Sequence, residues 1–190
     1  MMRIITGKAR GTKLDTLEGL NTRPTSERAK EAIFSIIQFD IPDTNVLDLF
    51  AGSGQMGLEA LSRGAAKATF VDSSKEAIAV IKRNVTKTHF EASSTVIMSE
   101  FEPSLKKMAK NEKYDLVFLD PPYASEYLIK ALKRLIEYDL IDKNATIVCE
   151  SGKEDIFDGD DNLINSFEII KRAKYGIAYV TIIKPKVREV

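Results

Sequence analysis

Asp120 ends an apolar run, Leu116-Val117-Phe118-Leu119, and is followed at once by Pro121, Pro122 and Tyr123. The run has the pattern of a strand buried on both faces. Neither proline can donate to a sheet ladder, so the strand stops at the acid and the chain leaves the sheet rigidly. A carboxylate therefore stands at the carboxyl end of a strand, with an aromatic ring three residues on. In open α/β sheets that edge is where ligands bind. The competing reading is an ordinary strand-ending turn.

The residues upstream decide between the two. Gly52, Gly54 and Gly57 have the G-x-G-x-x-G spacing between an apolar strand, Asn45 to Phe50, and a helix expected from Leu58 to about Arg63. The first two glycines let the backbone approach a ligand, and Gly57 lets helix and strand pack. Dinucleotide dehydrogenases share the spacing. Asp48, just ahead of the glycines, would repel a pyrophosphate but could bind an amino-acid ammonium, directly or through water. Asp72 ends the next strand, Ala68 to Asp72, and can accept from both ribose hydroxyls of an adenosine. No hydride-transfer partner such as a catalytic histidine follows the fourth strand. An adenosine with an amino-acid tail satisfies both acids, and that compound is S-adenosylmethionine. The alternative leaves Asp48 and Asp72 as caps on strand ends.

Composition excludes several other chemistries. Basic and acidic residues balance at 28 each, so any nucleic-acid contact must come from a local patch. His89 and Cys149 are single, which argues against a His/Cys zinc site and against a Ser-His-Asp triad. A lone cysteine also fits a reducing compartment. Residues 1–13 lack the apolar core of a signal peptide, and no 18-residue apolar run occurs. The expectation is a cytoplasmic protein, monomeric and without membrane contact, of a length (190 residues) that suits one domain.

The elements that must carry these residues follow in order. Residues 1–20 form a basic extension, read as a small β-hairpin from Ile4-Ile5, the turns at Gly7 and Gly11, and Thr12-Lys13-Leu14. Its cations, Arg3, Lys8, Arg10 and Lys13, read equally as a solvated edge or as an arm that grips phosphates. A domain over 21–190 follows. Thr25 or Ser26 caps a first helix whose apolar stripe is Ala29, Ala32, Ile33, Ile36 and Ile37. Further helices are expected over about 75–85, 103–111 and 126–138, the last with Leu128, Leu132, Leu135 and Ile136 inward. Strands are expected at Ser94 to Met98 and Ala145 to Cys149. Phe167 to Lys171 and Ala178 to Ile183 read as a final antiparallel hairpin. Five β/α units ending in a hairpin define an α/β domain with a mostly parallel sheet. Asp158 to Asp161 reads as a solvated turn, His89 as a surface helix-end residue and Cys149 as a buried strand residue. Glu59 reads either as structural or as a prop for the glycine loop.

With these motifs in hand, the chain resembles the RsmD-type family of 16S ribosomal RNA guanine-N2 methyltransferases, class I S-adenosylmethionine-dependent enzymes. The resemblance rests on Arg10 to Leu14, Arg23-Pro24-Thr25, Val46 to Gly54 continuing through Gly57-Leu58-Glu59-Ala60, Asp120-Pro121-Pro122-Tyr123, and Glu150-Ser151. Thr6, Ala9 and Glu100 depart from the family pattern. The resemblance implies a Rossmann-like, seven-stranded sheet of order 3-2-1-4-5-7-6 with strand 7 antiparallel. It implies S-adenosylmethionine as methyl donor, S-adenosylhomocysteine as product, and no metal. Cofactor contacts are expected from Asp48, Phe50, Ala51, Gly52, Ser53, Gly54, Asp72, Glu100, Phe101 and Asp120. The implied partner is 16S rRNA or a small-subunit assembly particle, held by Lys8, Arg10, Lys13, Arg23, Thr25 and Tyr123.

The catalytic group is expected to be Asp120, Pro121, Pro122 and Tyr123. An exocyclic amine is a poor nucleophile because its lone pair is delocalised into the ring. The Asp120 carboxylate and the Pro121 carbonyl would bind both amine hydrogens and favour a pyramidal nitrogen. Tyr123 would stack on the base, worth about 1–3 kcal/mol. Other acceptors with the same motif are DNA adenine-N6 and protein amides. Outside methyl transfer, the alternatives are a nucleotide-binding oxidoreductase and a non-catalytic RNA-binding assembly factor.

Overall fold

The computed structural model describes residues 2–17, 27–109, 112–122 and 126–186. In chain order the elements are α1 (Glu27–Ile36), β1 (Asn45–Leu49), α2 (Gln55–Ser62), β2 (Lys67–Asp72), α3 (Lys75–Thr88), β3 (Ser94–Met98), α4 (Phe101–Met108), β4 (Tyr114–Leu119), α5 (Tyr127–Glu137), β5 (Ile141–Ser151), α6 (Asp161–Ser166), β6 (Phe167–Tyr175) and β7 (Ala178–Pro185). The strands form one seven-stranded sheet of order β3-β2-β1-β4-β5-β7-β6. Only β7 runs antiparallel to its neighbours, β5 and β6. Among the described residues no helix is long and apolar enough to cross a membrane.

Two-residue periodicity divides the sheet between two cores. Val46, Phe70, Phe118 and Val148 face one core, covered by α1, α2 and α3 through Ile33, Leu58 and Ile81. Leu47, Val71, Leu119 and Cys149 face the other, covered by α4, α5 and α6 through Leu105, Leu132 and Leu163. This double coverage explains why the central strands read as continuous apolar runs.

Several expected elements shift. In α1 the inward residues are Ala29, Lys30, Ile33 and Phe34, with Ile37 just beyond, whereas Ile36 is 43% exposed. In α5, Ala131 takes the inward place expected of Ile136, which is 38% exposed. Both isoleucines sit at the margin of the apolar stripe, where a half-turn's rotation decides burial. α2 begins at Gln55, not Leu58, because left-handed Gly54 (φ 76) starts the helix directly from the glycine loop. The acidic loop around Asp158 leads into α6, an unexpected helix that Asp160 caps by accepting from the Leu163 amide at 3.1 Å. The capping residues Thr25 and Ser26 lie outside the described residues. His89 ends α3 in a left-handed conformation at φ 60, and Cys149 is fully buried.

The N-terminal arm folds back on itself through one antiparallel bridge, Arg3 with Lys13, flanked by backbone bonds from Ile4 to Thr12 and from Leu14 to Met2. It docks on α2 through Glu59, whose two carboxylate oxygens accept from the Ile5 and Thr6 amides at 2.8 and 3.0 Å. Glu59 is therefore structural, directed at the arm and away from the glycine loop.

Candidate active site

From β1 the sheet grows one way to β2 and β3 and the other way to β4 and β5, so the crevice opens between the carboxyl ends of β1 and β4. These two strands pair in parallel with Leu49 opposite Leu119. One residue of alternation then sets the chemistry. Asp48, Asp72, Asp120 and Glu150 continue the face of Val46, Phe70, Phe118 and Val148, so four adjacent strands each present a carboxyl on one side of the sheet edge.

The glycine loop is held from both sides. The Phe50 and Ala51 amides both donate to the Val71 carbonyl at 3.0 Å. The Gly52 amide donates to Asp72 Oδ2 at 2.8 Å, and Asp72 Oδ1 accepts from the Ser74 amide at 2.9 Å. Each Asp72 oxygen keeps a lone pair for a further donor. Asp48 lies beneath the loop, 4% exposed, where its Oδ2 accepts from the Gly57 amide at 2.9 Å. A Cβ on Gly57 would lie 2.4 Å from the Phe70 ring, so the close helix–strand approach requires glycine. Gly52 is different: at φ 55 it has no atom within 4 Å of its missing Cβ, because it faces open space.

That space is a cavity of about 1010 Å³. Phe50, Ala51, Gly52 and Ser53 border it on the loop side, and Asp72, Glu100 and Phe101 at the ends of β2 and β3. Asp120, Pro121 and Pro122 close it at the end of β4. Gly54 and Asp48 support the loop from below and are not part of its wall. Arg23, Thr25 and Tyr123 lie outside the described residues. Lys8, Arg10 and Lys13 are exposed on the arm and do not line the cavity.

The arm nevertheless reaches the cavity at its root. Met2, Thr16 and Leu17 border it, and the Ser53 hydroxyl donates to the Met2 sulfur at 3.2 Å. Buried Asn84 ties the arm to the loop: its Oδ1 accepts from the Asp15 amide at 2.7 Å, and its Nδ2 donates to the Ser53 carbonyl at 2.9 Å. The turn at Gly7 rests on the far end of α2, where the Lys8 amide donates to the Ser62 carbonyl at 2.8 Å. Lys8 and Arg10 thus sit about one α2 length, roughly 12 Å, below the cavity rim.

Sequence reasoning missed several cavity residues. Tyr127 completes an aromatic trio with Phe50 and Phe101, ring centroids 5.1–6.1 Å apart, and Phe50 takes a positive φ of 69° to join it. Arg28 and Lys174 are cations on the wall. Glu150 is 9% exposed and follows a buried strand, the same signal that singled out Asp48, Asp72 and Asp120.

Two of these carboxyls, Asp48 and Asp120, are held back from ionising. Burial pushes Asp48 up to about 7, against the Gly57 hydrogen bond and with help from Asp72. Asp120 opens on the cavity but is crowded by protein. That crowding, then the charges of Glu150 and Asp48, hold its carboxyl well above the usual range.

A stability effect follows for Asp48. Its protonated form stabilises the fold fully below the ordinary value of 3.8, and this contribution is lost as pH rises through about 7. Asp48→Asn keeps an acceptor for Gly57 and removes the charge, at the cost of a buried amide NH₂. The ligand-free variant is expected to gain roughly 1–3 kcal/mol at pH 8 and almost nothing at pH 4. Thermal melts at the two pH values check this; equal shifts at both would contradict it.

The sheet order, with its single antiparallel strand beside an open carboxyl-edge crevice, is that of the Rossmann-like methyltransferases. The family model described as Conserved hypothetical protein 95 matches residues 2–184, and the chain belongs to that family, the RsmD-type methyltransferases. It is similar to the Bacillus subtilis protein YlbH, provisionally named an rRNA methyltransferase, with 36% identity over 187 residues that cover 97% of this chain and 100% of that one. It is also similar to Ribosomal RNA small subunit methyltransferase D of Haemophilus influenzae, 35% identical over 80% of each chain. Among solved structures, the Escherichia coli protein yhhF, provisionally named a methyltransferase, superposes with a TM-score of 0.84 at 29% identity, covering 98% of this chain and 99% of that one.

Proposed function

We propose that this protein transfers a methyl group from S-adenosylmethionine to the N2 amine of a guanine in small-subunit ribosomal RNA. The observation that carries the reading is the pairing of the glycine loop with Asp120 on adjacent strands, opening on one cavity. Membership of the family and the ribosomal RNA methyltransferases among its relatives support the RNA substrate.

The residues present fit the cofactor. Open space above Gly52 admits a ligand to within backbone contact, Asp72 retains acceptor capacity for ribose hydroxyls, and the Phe50–Phe101–Tyr127 rings offer an apolar wall to adenine. When bound, S-adenosylmethionine supplies a methyl group already activated on a sulfonium. Asp120 accepts from the acceptor amine and turns its lone pair toward that methyl, while Pro121 and Pro122 fix the geometry in advance. As the new carbon–nitrogen bond forms, the amine must lose a proton. A carboxylate with a raised pKa is well matched to take it. On the arm, Lys8, Arg10 and Lys13 form no ion pair among the described residues and are available to backbone phosphates beyond the flipped base.

Because Asp120 must be ionised to accept, kcat/KM is expected to fall as pH drops through its raised pKa. The acid limb should lie well above the ordinary carboxylate value of 3.8. A limb at the ordinary value would separate Asp120 from the chemistry. The function itself is tested by mass-spectrometric nucleoside mapping of small-subunit rRNA from cells with and without the protein. Loss of one N2-methylguanine is expected; an unchanged map would overturn the reading.

A further inference from the structure

Among the described residues, the cations that border the cavity are Arg28 and Lys174. Lys174 belongs to β6, four strands from β1 and so roughly 19 Å across the sheet from the glycine loop. Its neighbour Ala173 pairs with Val180 of the first core, which turns Lys174 to the opposite face. Arg28 is on the loop's own side. It lies in the first turn of α1, which packs on the first core through Ile33 and Phe34, the face on which Asp48, Asp72, Asp120 and Glu150 stand. That turn is tied to the root of the arm. Glu27 pairs with Arg3 at 3.5 Å, and Lys30 Nζ donates to the Arg3 carbonyl at 2.6 Å. Met2, next to Arg3, accepts from the Ser53 hydroxyl of the glycine loop. Glu27 and Lys30 are thus engaged, whereas Arg28 is exposed and forms no ion pair among the described residues.

S-adenosylmethionine is an adenosine at one end and an amino-acid zwitterion at the other. With the adenosine at Asp72 and the aromatic trio, its tail is left the wall formed by Ser53, Met2, Ala29 and Arg28. The tail's carboxylate enters a cavity already bordered by four carboxyls, Asp72, Glu100, Asp120 and Glu150. Without a cation close by, that charge would be repelled. A guanidinium meets the need in shape as well as sign, because its planar fork matches a carboxylate with two parallel hydrogen bonds.

We propose that Arg28 clamps the α-carboxylate of S-adenosylmethionine, so that the junction of the arm with α1 selects a nucleoside that carries an amino acid. This rests on the S-adenosylmethionine reading above and assigns the far end of that ligand. It also gives the arm a second route to the cofactor, since Arg3 holds the turn from which Arg28 reaches out.

The test is calorimetric and needs no RNA for its main result. S-adenosylhomocysteine is compared with S-adenosyl-3-thiopropylamine, which keeps the adenosine, the thioether and the ammonium and lacks only the carboxylate. The wild type is expected to bind S-adenosylhomocysteine at least about tenfold more tightly than the analogue. Arg28→Met should weaken S-adenosylhomocysteine about 10–100-fold and change the analogue by less than about twofold, so the preference disappears. Arg28→Lys keeps the charge without the fork and should fall between, which keeps the test decisive should Arg28→Met fold poorly. The ligand-free melting temperature should hold, because Arg28 is exposed. An equal loss for both ligands would make Arg28 a part of the wall and overturn the assignment. Unchanged S-adenosylhomocysteine binding with weaker, less salt-dependent RNA binding would overturn it too, since that is the signature of a phosphate contact. A wild type that binds neither nucleoside would instead remove the underlying cofactor reading.

Discussion

Asp120→Ala is expected to lower kcat for methyl transfer by about 100–1,000-fold, the usual cost of deleting one group that acts on developing charge in the transition state. Cofactor affinity should change little. The proposed adenosine contacts, Asp72 and the aromatic trio, stand at the ends of β1 and β2 and the starts of α4 and α5, not on the Asp120 turn. Stability provides the control. The Asp120 carboxyl is disfavoured as an anion by its crowded site and by Glu150 and Asp48, so a neutral side chain removes repulsion and the melting temperature should hold or rise at pH 8. Asp120→Asn is a sharper probe. It keeps the volume but aims an amide donor at an amine that also donates, so its activity should be no better than that of alanine. Single-turnover methyl transfer with saturating cofactor, alongside calorimetry with S-adenosylhomocysteine, separates these terms. Wild-type turnover in either variant would sink the assignment.

Much of this site can be read from local pattern, and the reasons are physical. Strands buried on both faces leave apolar runs, and an acid that ends such a run stands out, as Asp48, Asp72 and Asp120 do. Gly57 is forced by a contact with Phe70 only 13 positions away in chain order, within the reach of a strand–turn–helix pattern. The alternation of strands and helices implies a mostly parallel sheet, while its strand order is what the family resemblance implies. What escaped is of another kind. Ile36 and Ile136 satisfy helical spacing, yet each sits at the margin of its helix's apolar stripe and stays partly exposed. Lys30, Glu59 and Asn84 are polar, yet each is essentially buried and answers to partners on the arm. Those partners lie 27 to 69 residues away, beyond any periodicity. The same distance hides the way the arm carries Lys8 and Arg10 to the far end of α2 while its root touches the glycine loop.

The buried hub also bears the largest expected stability effect. Glu59 is 0% exposed and Lys30 1%, and their side chains lie 3.4 Å apart. Glu59 also accepts from Arg63 Nε at 2.8 Å and from the Ile5 and Thr6 amides, while Lys30 Nζ donates to the Arg3 carbonyl at 2.6 Å. Burial lowers the Lys30 pKa and Glu59 opposes that shift, so the ammonium depends on its partner. Glu59→Ala would leave a buried cation without its counter-charge and two backbone amides without an acceptor. The expected cost is about 3–5 kcal/mol, measured by urea denaturation. Glu59→Gln, which retains one acceptor, should cost less. Adding Lys30→Met to Glu59→Gln should restore part of the loss, because the orphaned charge is the larger penalty. Hydrogen exchange gives the local readout: the Ile5 and Thr6 amides should lose protection before the central strands do. Since Met2 and Asp15 join the arm to Ser53 directly and through Asn84, a loosened arm should also weaken S-adenosylhomocysteine binding without any change in a cavity-lining residue. A Glu59→Ala protein within about 1 kcal/mol of wild type, with both amides still protected, would show that the arm is held by its apolar contacts and not by this ion pair.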